Sequence, residues 1–300
     1  MSGSGAAILC AVGIAASTVF IRRALVRTPD PFLGIIITII VALPVLVSIT
    51  ALTENIGNLI AFPWEAYLVL AAAGVLHFIL GRVLYYGSIH LVGANITQIL
   101  VSPNPIYAVI LGIILFQEPL TWRILLGTPL IIAGCVLVTW RGRQPNSDSP
   151  ASTAKTLSPL KKGLIFSIVA GLCFGLSPVL IKLGLLDGGS PALATLVSYI
   201  AAAMGLTTFL GNRDIRKRFR HIDRAALIWF TIAGLAVAFA HWLRYMAVSL
   251  TPVSIVTPLV STSVLFVLLF SFLINRKLET FAWNVIAGAI FVAAGASLIY

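Results

Sequence analysis

The sequence has few charged residues. Only 10% of its 300 residues are charged, against roughly 25% in an ordinary soluble domain, and 59% are hydrophobic. The mean hydropathy is +1.05. A soluble chain of this length cannot bury so much apolar side chain, because its surface is too large relative to its volume. The composition therefore excludes a soluble enzyme, a disordered protein and a nucleic-acid-binding protein.

Cysteines and acidic residues are also scarce. The three cysteines, Cys10, Cys135 and Cys173, lie inside apolar runs, which argues against a disulfide framework. All nine acidic residues lie in predicted loops or at predicted helix ends, so we expect no carboxylate at the middle of a membrane. A multidrug pump that carries protons on a buried glutamate of its first helix is disfavoured, because residues 5–21 hold no acid.

Long apolar runs dominate the rest of the chain. A bilayer core of about 30 Å requires roughly 20 apolar residues per helix. Ten stretches approach or meet that length: 5–22, 32–52, 65–89, 94–116, 122–140, 160–182, 191–211, 225–249, 253–274 and 281–299. We therefore predict an all-α polytopic membrane protein. The polar segment 141–159, rich in proline and serine, is interpreted as a flexible cytoplasmic linker between residues 1–140 and 160–300.

The two halves resemble each other in sequence. Segment 71–140 aligns with segment 231–300 at a shift of about 160 residues. The matching residues are Gly74 with Gly234, Tyr85 with Tyr245, and the spacing Gly127-x6-Gly134 with Gly288-x6-Gly295. We expect the glycines of the fifth and tenth helices to form close-packing faces. An internal repeat in an all-helical membrane protein is typical of a transporter built from two homologous units.

The basic residues predict the orientation. Cytoplasmic loops are enriched in lysine and arginine. Alternate loops hold 16 of the 20 basic residues, beginning with Arg22, Arg23 and Arg27, whereas the opposite loops hold only Arg123 and Lys182. We expect the protein to lie in the cell (inner) membrane. Both termini are therefore predicted to be on the outer side of that membrane. Because each half has five helices, the second half must be inverted relative to the first.

Several short motifs carry a resemblance to a known family. Leu84-Tyr-Tyr-Gly-Ser-Ile89 leads into a helix that begins near Gly93, contains Pro103 and ends at Glu118-Pro-Leu-Thr121. Together with the repeated glycine spacing, this pattern resembles the drug/metabolite transporter superfamily, specifically proteins with two EamA domains. The resemblance covers nearly the whole chain. It implies export of amino acids or other small metabolites, and some members carry nucleotide sugars or sugar phosphates.

The second half departs from the family pattern at one motif. Lys277-Leu-Glu279-Thr280 stands where Glu-x-Leu-Thr is expected. We therefore interpret Glu118 as an interface residue between helices.

Basic and aromatic residues occur inside the predicted third and eighth helices. They are His77, Arg82 and Tyr85 on the third, and His241, Arg244 and Tyr245 on the eighth. An excess of buried positive charge suits a substrate with a carboxylate or phosphate, since charge pairing offsets part of the cost of burial. Two alternatives stay open: the arginines extend to the lipid interface, and His77 forms a hydrogen bond that packs two helices. Tyr85 and Tyr86 are either cavity aromatics or interface anchors.

Polar side chains form a stripe on the fourth helix and again on the ninth. Asn95, Gln98 and Ser102 share one face of the fourth helix, and Ser254, Thr257 and Ser261 share one face of the ninth. Each stripe either lines a cavity or contributes interhelical hydrogen bonds of about 0.6 kcal/mol each. Prolines 103, 105 and 258 interrupt these helices, which is tolerated where freed carbonyls face a cavity. Ser17 and Thr18 are weaker candidates.

The sequence thus predicts a carrier with alternating access between inverted repeats. We expect it to export small zwitterionic or anionic metabolites, foremost amino acids, across the bilayer as a monomer, with a higher oligomer as the alternative. Organic anions, nucleotide sugars, sugar phosphates and drugs are alternative substrates, and a lipid flippase or a membrane scaffold is the non-transport alternative. Gly175-Leu-Ser177-Pro178 with His241 matches a rhomboid-type serine protease only weakly. We expect no enzyme activity, catalytic residues, metal or cofactor.

Overall fold

The chain folds into apolar helices at the positions that the sequence predicts. The structure, a computed structural model, describes residues 1–54, 63–139, 157–186, 189–210, 218–219, 222–274 and 283–300. The first repeat contributes α1 Gly3–Arg27, α2 Pro31–Thr53, α3 Trp64–Val92, α4 Ala94–Val101 with Asn104–Phe116, and α5 Trp122–Thr139. The second contributes α6 Leu157–Gly184, α7 Pro191–Leu210, α8 Arg224–Leu250, α9 Val253–Ser261 with Ser263–Ile274, and α10 Trp283–Ile299.

These helices form a membrane-spanning bundle. Eight are long and apolar enough to cross a bilayer, and α5 and α10 are shorter apolar helices. The predicted all-α polytopic fold of two five-helix repeats is confirmed. The linker predicted at 141–159 lies almost wholly outside the described residues, so its boundaries stay a prediction.

The basic ends of several helices differ from the prediction. We expected Arg22, Arg23 and Arg27 in a loop, but α1 continues through all three. The helix extends beyond the apolar run because α-helical hydrogen bonding does not depend on contact with lipid. A cation in the last turn also interacts favourably with the negative end of the helix dipole. Lys161 and Lys162 likewise lie in the first turns of α6.

Both α4 and α9 are broken near their middle, and the breaks occupy equivalent positions in the two repeats. In α4 the helix stops after Val101, and the hydroxyl of Ser102 donates to the Gln98 carbonyl at 2.7 Å. In α9 it stops after Ser261, and the hydroxyl of Thr262 donates to the Leu259 carbonyl at 2.6 Å. Beside each break, a hydroxyl therefore adds a second hydrogen bond to a carbonyl that already accepts the N–H of the same residue.

The helices of one repeat pack mainly against helices of the other. The pairs come in symmetric sets: α1 packs on α8 as α6 packs on α3, and α2 packs on α8 as α7 packs on α3. Glycines permit these approaches. A Cβ on Gly74 of α3 would overlap the Ser198 carbonyl of α7, and one on Gly234 of α8 would lie 3.2 Å from Thr38 of α2. The repeats therefore share one core, and the cavity described below lies between them.

The contact between α5 and α10 shows the same symmetry. A Cβ on Gly134 would lie 2.5 Å from the Gly288 carbonyl oxygen, and one on Gly288 would lie 2.6 Å from the Gly134 carbonyl oxygen. Gly127 and Gly295 face each other in the same way, at 2.8 and 2.6 Å. The prediction that these glycines form a close-packing face is confirmed.

Candidate functional site

A cavity of about 350 Å³ lies inside the bundle and is shared by both repeats. Helices α1, α2, α3 and α4 of the first repeat and α6, α8 and α9 of the second contribute residues to its wall. Its volume is at the small end of the 300–1,000 Å³ that is typical of ligand pockets. The two repeats thus enclose a space suited to a small molecule.

Two arginines supply the fixed charge of the cavity. Arg82 of α3 and Arg244 of α8 both line it, and Arg244 is only 7% exposed. Within the described part, neither guanidinium forms an ion pair or hydrogen bond with a protein group. The face of the Phe78 ring lies 5.4 Å from Arg82. No acidic residue is among the described residues that line the cavity.

The described acidic residues lie at the ends of helices instead. Asp30 and Asp223 accept hydrogen bonds from backbone N–H groups at the starts of α2 and α8. Glu54, Glu65 and Glu118 lie at the end of α2, in the first turn of α3 and after α4. Among the described residues, no carboxylate therefore balances the positive charge of the cavity.

Histidines and aromatic rings form one side of the cavity. His77 and His241 line it from opposite repeats, with their ring centroids 5.5 Å apart, and Phe174 lies 5.2 Å from His77. His77 lies in a π-helical segment, Val75–Gly81, within α3. Wider turns of this kind are frequent at functional sites. The Nδ1 atom of His77 is buried and has no hydrogen-bond partner among the described residues.

The predicted polar stripe of α9 reaches the cavity only in part. Thr257 and Ser261 line it, and the Thr257 hydroxyl is buried with no partner among the described residues. Ser254 is fully buried and is not among the lining residues. Tyr245 of α8 is also buried and is not among the lining residues.

The described residues of the α4 stripe, Gln98 and Ser102, do not line the cavity. Tyr85 lines the cavity, and its hydroxyl donates to the Gln98 amide oxygen at 2.8 Å. Gln98 therefore holds a lining residue without lining the cavity itself. Ser102 is buried and bonds to its own helix. The side chain of Asn95 lies outside the described part of the structure. The substrate-binding role of all twelve candidates stays a prediction.

Several lining residues were not predicted. Ile14 and Ile21 of α1, Val237 of α8 and Val260 of α9 are ordinary apolar helix residues, and no sequence signal separates them from lipid-facing ones. The polar lining residues Thr38, Asn104 and Ser263 were also not assigned to the site, although the prolines beside Asn104 mark the break at which it lies. Tyr86 and the weaker candidates Ser17 and Thr18 line the cavity as well.

The sequence matches one family twice. The EamA-like transporter family matches residues 1–140 and again residues 161–300. The chain belongs to the EamA-like transporter family. It is therefore a multi-pass membrane transporter, as the repeated architecture and the motifs indicate. No curated protein matches this chain.

Solved structures match this EamA-like fold. There are 28 matching chains. One of them, described as "Crystal structure of protein", has a TM-score of 0.70 and 15% sequence identity, and the match covers 96% of this chain and 95% of that chain. At that identity the likeness shows the fold alone.

Proposed function

We propose that this transporter exports small metabolites, foremost amino acids, by alternating access between its two inverted repeats. The observation that supports the proposal is the pair of guanidinium groups on one cavity that carries no carboxylate. Such groups pair strongly with a carboxylate or a phosphate, because charge-assisted hydrogen bonds are about twice as strong as neutral ones. We further propose that the protein lies in the cell (inner) membrane as a monomer with both termini outside.

The remaining wall suits the rest of an amino acid. The hydroxyl of Ser261 and the amide of Asn104 offer acceptors to an ammonium group. The rings of Tyr85 and Phe174 offer aromatic faces, which also attract a cation. The volume of about 350 Å³ favours a compact solute over a drug-sized or lipid molecule.

An organic anion is the second candidate. The charge of the cavity favours it, since a dianion would balance both arginines whereas a zwitterion balances one. Sugar phosphates belong to the same chemical class. A cationic drug is disfavoured, because two unpaired guanidinium groups repel it.

The test is counterflow in proteoliposomes. Vesicles loaded with neutral, acidic or basic amino acids, or with dicarboxylates, are mixed with the radiolabelled form of the same compound. Accumulation of an amino acid above protein-free vesicles supports the proposal, and accumulation of dicarboxylates alone replaces it with the second candidate. Absence of counterflow for every compound in the panel would refute both.

Replacement of Arg82 tests the cavity itself. We expect Arg82→Ala to raise the KM of transport about tenfold or more, because a hydrogen bond to a charged group contributes ~1.5–3 kcal/mol. Arg123→Ala is the matched control, since Arg123 is exposed at the start of α5 beside Trp122. Equal transport by the two variants at equal expression would remove Arg82 from the site.

A further inference from the structure

Glu118 connects the two repeats outside the cavity. It follows α4 in the first repeat, and its side chain is buried, with the residue only 7% exposed. One carboxylate oxygen accepts the N–H of Val253 at 2.7 Å, and the other accepts the N–H of Ser254 at 2.9 Å. Both donors lie in the first turn of α9 in the second repeat. We refer to this pair of hydrogen bonds as the Glu118 contact.

The start of α9 requires a partner of this kind. The first N–H groups of a helix have no acceptor within the helix, and a side chain at the preceding residue usually provides one. Here the preceding residue is Pro252, whose side chain has no acceptor. A carboxylate from the other repeat therefore replaces the missing cap, and its negative charge also interacts favourably with the helix dipole.

The end of α4 is shaped to present the carboxylate. Gln117 has a left-handed backbone with φ of 52°, which turns the chain back at the end of the helix. Gly112 leaves room for the carboxylate, since a Cβ there would lie 2.7 Å from a Glu118 carboxylate oxygen. The backbone turn at Gln117 and the space beside Gly112 therefore let the first repeat present the Glu118 carboxylate toward α9.

The turn between α8 and α9 is held from a second direction as well. The ammonium of Lys182, near the end of α6, donates to the Val248 carbonyl in the last turn of α8 at 3.2 Å. A cation therefore lies at the C-terminus of α8 and an anion at the N-terminus of α9, each the favourable charge for that end. Lys182, Glu118 and Pro252 border the same recess.

The helices that leave this turn carry part of the cavity wall. Thr257 lies one helical turn after the Glu118 contact, and Ser261 follows one turn later. Arg244 lies six residues before the end of α8. A displacement of the turn would move all three residues, because a helix transmits motion along its axis as a rigid element.

We propose that Glu118 is a positioning residue of the transporter, which fixes the start of α9 against the first repeat and so holds the α9 wall of the cavity in place. The role does not depend on which substrate is carried.

The test measures access to the first turn of α9 without any substrate. Ser254→Cys is introduced into a chain in which Cys10, Cys135 and Cys173 are replaced by alanine. Ser254 is fully buried, so we expect slow labelling by a hydrophilic maleimide. Adding Glu118→Ala should speed labelling about tenfold or more, since two charge-assisted hydrogen bonds are lost. Glu118→Gln keeps one acceptor oxygen and should give an intermediate rate.

A second reporter separates local from global loosening. Ser167→Cys is also fully buried, at the contact of α6 with α3, where the native serine bonds to Ser88. We expect its labelling rate to be unchanged by Glu118→Ala. An equal rise at both reporters would mean general unfolding and would overturn the proposal, as would unchanged labelling at Ser254→Cys.

Transport kinetics provide a readout that a general loss of stability would not reproduce. With an amino acid or dicarboxylate that shows counterflow, Glu118→Ala should raise KM at least about tenfold, because the α9 wall is displaced, and Glu118→Gln should restore part of the loss. Unchanged KM would contradict the proposal. If no compound is transported, the labelling experiment still decides whether Glu118 positions α9.

Discussion

The glycine contact between α5 and α10 predicts a specific loss of stability for Gly134→Ala. The added Cβ would lie 2.5 Å from the Gly288 carbonyl oxygen and 2.6 Å from a methyl group of Val292, whereas ordinary contacts begin at 3.4 Å. Neither neighbour is the end of a long flexible side chain. The two helices must therefore separate by roughly 0.9 Å at this point, and the packing around the contact is lost with them.

The size of the effect follows from two opposing contributions. Forcing an extra methyl group into a well-packed contact costs about 1–3 kcal/mol. Replacing glycine by alanine inside a helix contributes up to about 1 kcal/mol in the stabilising direction. Gly171→Ala isolates the second contribution, because a Cβ there would meet its nearest atom, the Cα of Val101, at 3.5 Å. The difference between the two variants should thus be about 1–3 kcal/mol.

The assay is thermal unfolding of purified protein in detergent, followed by the loss of monodisperse protein. We expect Gly134→Ala to melt below the wild type and Gly171→Ala to melt at or above it. The double variant Gly134→Ala with Gly288→Ala should lose less than the sum of the single losses, because one separation of the helices relieves both clashes. Equal melting of Gly134→Ala and Gly171→Ala would refute the close contact.

Two further predictions concern single interactions. Tyr85→Phe removes the hydrogen bond to Gln98 and should lower the free energy of unfolding by about 0.5–1.5 kcal/mol, measured by the same melting assay against the wild type. Arg27→Ala removes the 3.4 Å ion pair with Asp223. The side chain of Arg27 is 55% exposed and that of Asp223 is 40% exposed. It should change the free energy of unfolding by about 1 kcal/mol or less, and a larger loss would show that the pair is not screened by solvent.

The helices and their repetition could be predicted because lipid imposes a strong and simple rule. Every span must be apolar and long, so the ten runs stand out from their neighbours even in a single sequence. The close contact between α5 and α10 could also be predicted from the glycine spacing, since a close helix contact excludes side chains on both helices. Helix ends were less accurate. Helix α1 continues to Arg27, beyond the apolar run, because polar residues outside the apolar core can remain helical without a desolvation cost. Hydropathy therefore does not mark the end of the helix.

The site was harder to predict because an inward-facing residue and a lipid-facing residue are equally apolar. Ile14 and Val237 line the cavity, yet nothing in their sequence context distinguishes them from exposed neighbours. Repetition also misleads in detail: Tyr85 and Tyr245 align, but Tyr85 lines the cavity and Tyr245 is buried and does not line it. Charge was the better signal, since Arg82 and Arg244 are too costly to bury without a purpose.

The interleaved packing of the two repeats has a consequence for biosynthesis. A ribosome delivers residues 1–140 to the membrane first, and at that moment α1, α2, α3 and α5 lack the partner helices that cover their glycine and small-residue faces. In many proteins an N-terminal domain folds as soon as it emerges. Here most of the helix contacts of the first repeat are made with the second repeat, so we expect most of the native packing to form after the second repeat is inserted.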